Sequence, residues 1–263
     1  MKHLNKSAVI TGAANGIGLA CATRFAQEGA SVVLADVNIE KARHEAEVLI
    51  TEGFKAVAIQ CDVSRREDIT AAIALSEQYG GGLDIMVNNA GYSLGKDVLE
   101  VDEADMLRLF SVNLMGAFFG TQEAARRMVK QGTGAIVNMS SMQAALAIPN
   151  QLPYGVTKAG INQLTRVNAI ALAPKGVRVN AVGPGTILTA ASQRNVLQND
   201  NARRSVLSRI PMSRLGRTEE VASVISFLAS DDASYMTGQI LYIDGGRNCL
   251  NLTVPVNEDA ATD

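Results

Sequence analysis

The 263-residue chain has no tryptophan, five tyrosines, six phenylalanines and two histidines. So few aromatic rings argue against stacking platforms for bases or glycans. His3, near the terminus, and His44, in a charged helical stretch, are both expected on the surface. A Ser-His-Asp hydrolase is therefore disfavoured, and the serine stretch "MSSMQ" lacks the flanking glycines of a nucleophile elbow. Cys21, Cys61 and Cys249 are odd in number and far apart. They read as reduced thiols of a cytoplasmic protein, with neither a disulfide frame nor metal-ligand spacing, so no metal is expected. Charge of neither sign dominates: 24 Lys and Arg against 26 Asp and Glu give a formal net charge of -2. No basic stripe offers a footprint for nucleic acid. No apolar run reaches the roughly 18 residues that span a bilayer, and the opening "MKHLNKSAVITG" has no apolar core of a leader.

What is present is a rhythm. Short apolar, β-branched runs at 7–11, 31–35, 55–60, 83–88, 134–139, 177–182 and 239–243 alternate with helical patterns. Continuous apolar runs suit parallel strands covered on both faces. The stretches "GIGLACATRFAQEG" and "NIEKARHEAEVLITEG" each end at a glycine, the usual helix stop. Strand and helix in alternation predict a single-domain Rossmann-type α/β fold, a doubly wound parallel sheet of about seven strands with helices on both faces. The catalytic domain is expected over 1–246, with 247–263 as a C-terminal extension. Of that extension, "LNLTVPV" is apolar enough to dock near a substrate entrance, whereas "NEDAATD" is polar and expected to be mobile. The segment 185–216 is a long connection, read as a binding loop or lid.

"TGAANGIG" (11–18) joins the first strand to the first helix. Gly12 permits a tight turn, Gly16 a close approach of pyrophosphate, and Gly18 tight helix–sheet packing; Asn15 and Ile17 lie in the same turn. Asp36 ends the second strand eighteen residues past Gly18, where an acid meets the adenosine ribose hydroxyls. No lysine or arginine stands at 13–17 or 37–40 to take a 2′-phosphate, so NAD is the expected cofactor, not NADP. "CDV" (61–63) and "NNAG" (88–91) end the third and fourth strands, at the edge where such sheets bind ligands.

Tyr154 and Lys158 in "PYGVTKAG" are four residues apart. On a helix that is about 40° of rotation and about 6 Å of rise, so they share a face. An ammonium beside a phenol is expected to lower the phenol's pKa from about 10 and make it a usable general acid or base. The small neighbours Gly155, Ala159 and Gly160 are read as room for a ligand. Ser141 ends the fifth strand thirteen residues before Tyr154, and Asn113 lies in the helical stretch "LFSVNLMGAFFG".

With "TGAANGIG", "NNAG", Asn113, "IVNMSS", "YGVTK", "VNAVGPGTILT" and "YMTGQILYIDGG", the chain resembles the short-chain dehydrogenase/reductase family, in its single-domain branch, over nearly all of its length up to Gly246. The resemblance implies Tyr154 as general acid/base, Lys158 as the group that lowers its pKa and bonds the nicotinamide ribose, and Ser141 as the group that positions the substrate oxygen. It implies Asn113 as holder of a relay water. It also implies adenine contacts from Asp62 and Val63, and passage of Asn89, Ala90 and Gly91 beside the adenosine-side ribose. Pro184, Gly185, Ile187 and Thr189 are implied at the nicotinamide end. A homotetramer is implied as well.

The implied reaction is NAD-dependent interconversion of a secondary alcohol and its ketone. Substrate-pocket candidates are Ser93, Leu94, Met142, Gln143, Gln151 and Leu188, with the 190–212 loop above them. The amides of Gln143 and Gln151 tilt the expectation toward a polyol, sugar or other hydroxylated small molecule. The alternative is an NADP-linked 3-oxoacyl (acyl-carrier) reductase, for which Arg203 and Arg204 are the candidate carrier contacts. More distant is a non-catalytic NAD-sensing regulator, which would have no need to keep both Tyr154 and Lys158.

Overall fold

A computed structural model describes residues 1–189, 192–193 and 200–256. Seven strands form one sheet: β1 (Ser7–Thr11), β2 (Ser31–Asp36), β3 (Ala56–Gln60), β4 (Ile85–Asn88), β5 (Gly134–Met139), β6 (Val177–Pro184) and β7 (Ile240–Ile243). Among the described residues the helices are α1 (Gly16–Gln27), α2 (Ile39–Thr51), α3 (Arg66–Gly80), α4 (Glu103–Leu109), α5 (Gly116–Gln131), α6 (Leu152–Leu172), α7 (Asp200–Leu207) and α8 (Thr218–Ala229). The strand order is β3-β2-β1-β4-β5-β6-β7, and every pair is parallel. The order reverses between β1 and β4, and the carboxyl ends of the strands at such a reversal form a ligand crevice.

The apolar strand runs have the cause expected of them. Alternate residues of one strand enter different cores. Ala8, Ile10, Val32 and Leu34 pack with Cys21 and Phe25 of α1, Leu49 of α2 and Ile225 of α8. Val9, Val33 and Ala35 pack with Ile69 and Ile73 of α3, Met128 of α5 and Leu172 of α6. Both faces of the sheet are thus dry, and period-2 alternation would have left one of them wet. β7 is one of the two outer strands, and all four of its residues are half-buried. No helix among the described residues is long and apolar enough to cross a membrane.

His3 is not on the surface. It is 1% exposed, its ring lies 4.8 Å from that of Phe25, and Nε2 is 3.1 Å from Ser226 Oγ. Glu28 Oε2 is 3.4 Å from the same nitrogen, and the His3 amide donates to Glu28 O at 2.9 Å. The terminal segment is thereby pinned between α1 and α8, 223 residues apart in the pair His3–Ser226. His44 is exposed, as its pattern implied. "NEDAATD" (257–263) and positions 190, 191 and 194–199 of the 190–212 loop lie outside the described residues.

Candidate active site

The turn after β1 is built by contacts that glycine alone permits. Gly12 (φ +65°) would put a Cβ 2.9 Å from Ala90 Cα, and Gly18 would put one 2.0 Å from Gly12 O. Gly16 (φ +55°) meets only Thr189 Cγ2 at 3.7 Å, so the space before it stays open. Both positive-φ positions suit glycine. Asp36, 6% exposed, is aimed by two amides: Ala14 N donates to Oδ2 at 2.9 Å and Asn38 N to Oδ1 at 2.9 Å. Its oxygens are fixed beside the glycine turn.

Asn89 does something that its motif did not disclose. Its Nδ2 donates to Thr11 O at 2.8 Å and to Gly12 O at 3.1 Å, which ties β4 to the turn. Thr11, absent from the expected site residues, accepts at Oγ1 from Asn89 N at 3.0 Å and from Ala90 N at 3.1 Å. A hydroxyl closing the otherwise apolar "SAVIT", just before a glycine, was the available signal. After β3, the Asp62 carboxylate is held by Ser64, through N at 3.0 Å and Oγ at 2.7 Å, with Val63 buried beside it.

Asn113 sits in a π-helical stretch, Phe110–Met115, between α4 and α5. Such widened turns recur at functional sites. Its amide is fully engaged: Oδ1 accepts from Tyr92 N at 3.0 Å, and Nδ2 donates to Tyr92 O at 2.9 Å and Thr157 Oγ1 at 3.3 Å. A Cβ on Gly91 would lie 3.0 Å from Asn113 Oδ1 and 3.6 Å from Lys158 Nζ, so the three converge.

α6 starts at the Gln151 cap with Pro153 in its first turn. Ser140, neighbour of Ser141, anchors the helix to β5: its Oγ donates to Asn162 Oδ1 at 2.6 Å. Lys158, 3% exposed, donates from Nζ to Met139 O at 2.7 Å and stands 5.5 Å from the Tyr154 ring centroid. Burial lowers its pKa to about 8. Burial also raises the Tyr154 pKa, against a hydrogen bond with Ser141 that lowers it. The sequence expectation had the opposite sign for the phenol, because it weighed the ammonium and not the loss of water around the ring. Gly160 needs to be small for another reason than ligand access: a Cβ would come 3.2 Å from the Leu114 side chain, where α6 rests on the π-helical stretch. Ala159 is exposed.

Ser141 Oγ accepts from Gln143 N at 3.1 Å. Pro184 ends β6, and Gly185 N donates to Ile243 O at 2.8 Å. Ile187 bridges to Gly216, and Leu188 N donates to Gly216 O at 2.7 Å. Thr189 is locked to Ser192, whose Oγ accepts from Thr189 N at 2.8 Å. The expected residues therefore gather along one edge of the sheet, the carboxyl ends of β1 to β6.

A family model described as enoyl-(acyl carrier protein) reductase matches residues 12–248. The 3-oxoacyl-[acyl-carrier-protein] reductase FabG of Thermotoga maritima is 41% identical over 249 residues, 94% of this chain and 99% of that protein. Glucose 1-dehydrogenase 2 of Bacillus subtilis is 37% identical over 246 residues, 92% of this chain and 94% of that one. The crystal structure of a short-chain type dehydrogenase/reductase from Mycobacterium marinum superposes with a TM-score of 0.88 at 35% identity, covering 95% of this chain and 98% of that one. The chain belongs to the short-chain dehydrogenase/reductase family and is an oxidoreductase of that family.

Proposed function

We propose that the protein interconverts a secondary alcohol and its ketone with NAD, and that Tyr154 gives and takes the hydroxyl proton. One observation carries this: a phenol, a hydroxyl and a buried ammonium, those of Tyr154, Ser141 and Lys158, meet at the carboxyl edge of the sheet. The nicotinamide cofactor, when bound, supplies or accepts the hydride. Gly12, Asn15, Gly16, Ile17 and Gly18 would hold its pyrophosphate, and the open space before Gly16 fits that use. Asp36 would hold the adenosine ribose, Asp62 and Val63 the adenine. Asn89, Ala90 and Gly91 would flank the chain of the cofactor. Lys158 and Tyr154 would meet the nicotinamide ribose, with Pro184, Gly185, Ile187 and Thr189 at the nicotinamide end.

In reduction the Tyr154 phenol keeps its proton until a substrate oxygen takes it, and burial favours that protonated state. In oxidation the phenolate is needed, and the Lys158 ammonium at close range stabilises it. Ser141 donates its hydroxyl to the reacting oxygen and fixes its place. Asn113 would act through its hold on the Tyr92 backbone and on the hydroxyl of Thr157, the residue before Lys158.

NAD is favoured by Asp36, whose buried carboxylate would face the 2′-phosphate of NADP. Like charges at such range cost several kcal/mol. The second reading, an NADP-linked 3-oxoacyl reductase, is favoured by the Thermotoga relative's activity. Kinetics with both cofactors separate the two. The expectation is a preference for NAD of about a hundredfold in kcat/KM, from about 3 kcal/mol of repulsion, and a smaller preference in Asp36→Ala. Equal or better efficiency with NADP would overturn the reading of Asp36. A homotetramer is the proposed assembly, in keeping with a half-buried outer strand β7; light scattering that gives a monomer at micromolar concentration would exclude it.

A further inference from the structure

Three buried side-chain oxygens lack a hydrogen-bond partner among the described residues: Asn88 Oδ1, Gln143 Oε1 and Gln151 Oε1. Asn88 is the internal case. It is 5% exposed, and its Nδ2 donates to Thr121 Oγ1 at 3.2 Å and Asn138 Oδ1 at 2.8 Å, so the amide serves a network between β4, α5 and β5. The two glutamines differ. In each, the amide oxygen is the buried atom left without a donor. A buried acceptor with no donor is rare and destabilising, and it calls for an explanation outside the fold itself.

Both lie on the segment between Ser141 and Tyr154. Gln143 follows Ser141 on the 3-10 turn Met142–Ala144, and its amide N donates to the Ser141 hydroxyl. Gln151 caps α6 one turn before Tyr154, with its O accepting from Gly155 N at 2.9 Å. Its Nε2 comes within 3.5 Å of where a Cβ on Gly95 would stand, so it reaches across to the segment after β4. Lys96 N donates to Asn150 O at 3.0 Å and closes that wall. Two acceptors without donors thus stand on the segment that leads from the Ser141 hydroxyl to the Tyr154 phenol.

We infer that the substrate is polyhydroxylated, a sugar, sugar alcohol or sugar acid, whose hydroxyl groups on either side of the reacting carbon donate to Gln143 Oε1 and Gln151 Oε1. This rests on the dehydrogenase reading above and narrows it. A 3-oxoacyl thioester offers methylene groups and carbonyl acceptors near its keto carbon, no donors, and would leave both oxygens unmet. A simple secondary alcohol would do the same.

The test compares three substrate types at saturating cofactor: alditols, sugars and sugar acids; 2-butanol; and an acetoacetyl thioester run in reverse with NADH or NADPH. The expected order puts a polyhydroxylated compound at least tenfold ahead in kcat/KM. Gln143→Met and Gln151→Met should each lower that value about tenfold, chiefly through KM, by loss of one hydrogen bond to a desolvated acceptor. Gln151→Glu, which keeps an acceptor, should restore part of it. Thermal melting adds a reading independent of turnover: Tm should hold or rise in both Met variants, because an unmet buried acceptor has gone. A wild type that prefers 2-butanol or the thioester would overturn the substrate class and leave the dehydrogenase reading standing. So would Met variants that lose all activities alike with a lowered Tm. No nicotinamide-linked turnover with any of the three would overturn both.

Discussion

The two ends of the sheet bury polar groups in opposite ways. At the amino-terminal ends of the strands, a groove of about 590 Å³ is lined by Lys2, His3, Lys6, Asp84, Arg178 and others. Several of its ionisable groups have partners: Lys2 with Asp232 at 3.2 Å, Lys6 with Asp84 at 3.1 Å, and His3 with Ser226 at 3.1 Å. Arg178 donates to Leu228 O at 2.7 Å and Ser230 O at 3.0 Å. At the carboxyl-terminal ends, Lys158 is buried with one carbonyl and no counter-ion among the described residues. Burial raises the Tyr154 pKa, and two glutamine oxygens have no donor. Satisfied polarity fastens the fold. Unsatisfied polarity is kept against the interest of stability and marks the end that a ligand completes.

That contrast is broken most directly at Tyr154. Tyr154→Phe keeps the ring and removes the hydroxyl. Turnover should fall by about a hundredfold or more, the usual weight of a positioned acid–base group, while the Kd for NAD stays within a few-fold. Normal turnover by the Phe variant would remove Tyr154 from its role and leave the carboxyl edge no different in kind from the amino edge.

Lys158 carries the next effect, in stability. Its folded pKa is lowered to about 8 from the model-compound value of 10.5. Below pH 8 both folded and unfolded chains hold the proton, so the full penalty of a buried charge is present. As pH rises, the folded chain releases the proton first, the unfolded chain binds more, and stability increases. Between about pH 7 and 9.5 the gain should be about 2 kcal/mol. Lys158→Met should lose this rise while losing activity. Denaturant melts of both proteins across that range check it; parallel curves would mean that the ammonium is not desolvated.

His3 provides the opposing case. Burial lowers its pKa below 6.5, against Glu28 and Ser226, which raise it. The neutral ring is the one that fits, so its contribution is present above pH 6.5 and is lost as pH falls below that, where the unfolded chain takes the proton first. His3→Ala should cost about 1–2 kcal/mol at neutral pH, from one buried hydrogen bond and contact with Phe25, and should flatten the acid side of the stability curve. kcat and KM should not change. A kinetic defect without a stability defect would blur the division between the two ends.

The same contrast explains what could be seen in the chain beforehand. β1 and β5 begin and end where their apolar runs do, and α1 and α2 lie within their periodic stretches, because both sides of the sheet are covered and local pattern suffices. That Gly12, Gly18 and Asp36 meet at one turn, and Ser141, Tyr154 and Lys158 at one point, followed from residue type and spacing, which are short-range properties. What depends on distant packing did not. The burial of His3 follows from Ser226 and Phe25. The use of the Asn89 side chain follows from Thr11. The direction of the Tyr154 shift follows from how much water the fold removes, which no local stretch records.

The smallest effect is expected at the C-terminal extension, which ties the carboxyl edge to the chain's last described turn. Gly246 N and Asn248 N both donate to the Asp244 carboxylate, at 2.9 Å and 2.7 Å. Met212 N donates to Gly245 O at 3.1 Å, and Val254 N to Ser208 O at 2.8 Å. The extension therefore backs the arm 207–216, and that arm returns through Gly216 to Ile187 and Leu188, beside the proposed nicotinamide end. Its apolar content is less buried than its composition suggests, for Leu252 is 77% exposed. The hold is one backbone hydrogen bond at Val254 plus the partly buried sides of Val254 and Val256. Truncation after Gly246 should remove that hold and the Asn248 N donor to Asp244, and leave Gly245 and the sheet intact. One hydrogen bond is worth about 1 kcal/mol, so KM should rise about fivefold as the arm loosens, with kcat near the full-length value. Tm should move little, since no core residue is lost. An unchanged KM together with an unchanged oligomer size would show that the arm keeps its place without the extension and that 247–263 plays no part in the carboxyl-edge site.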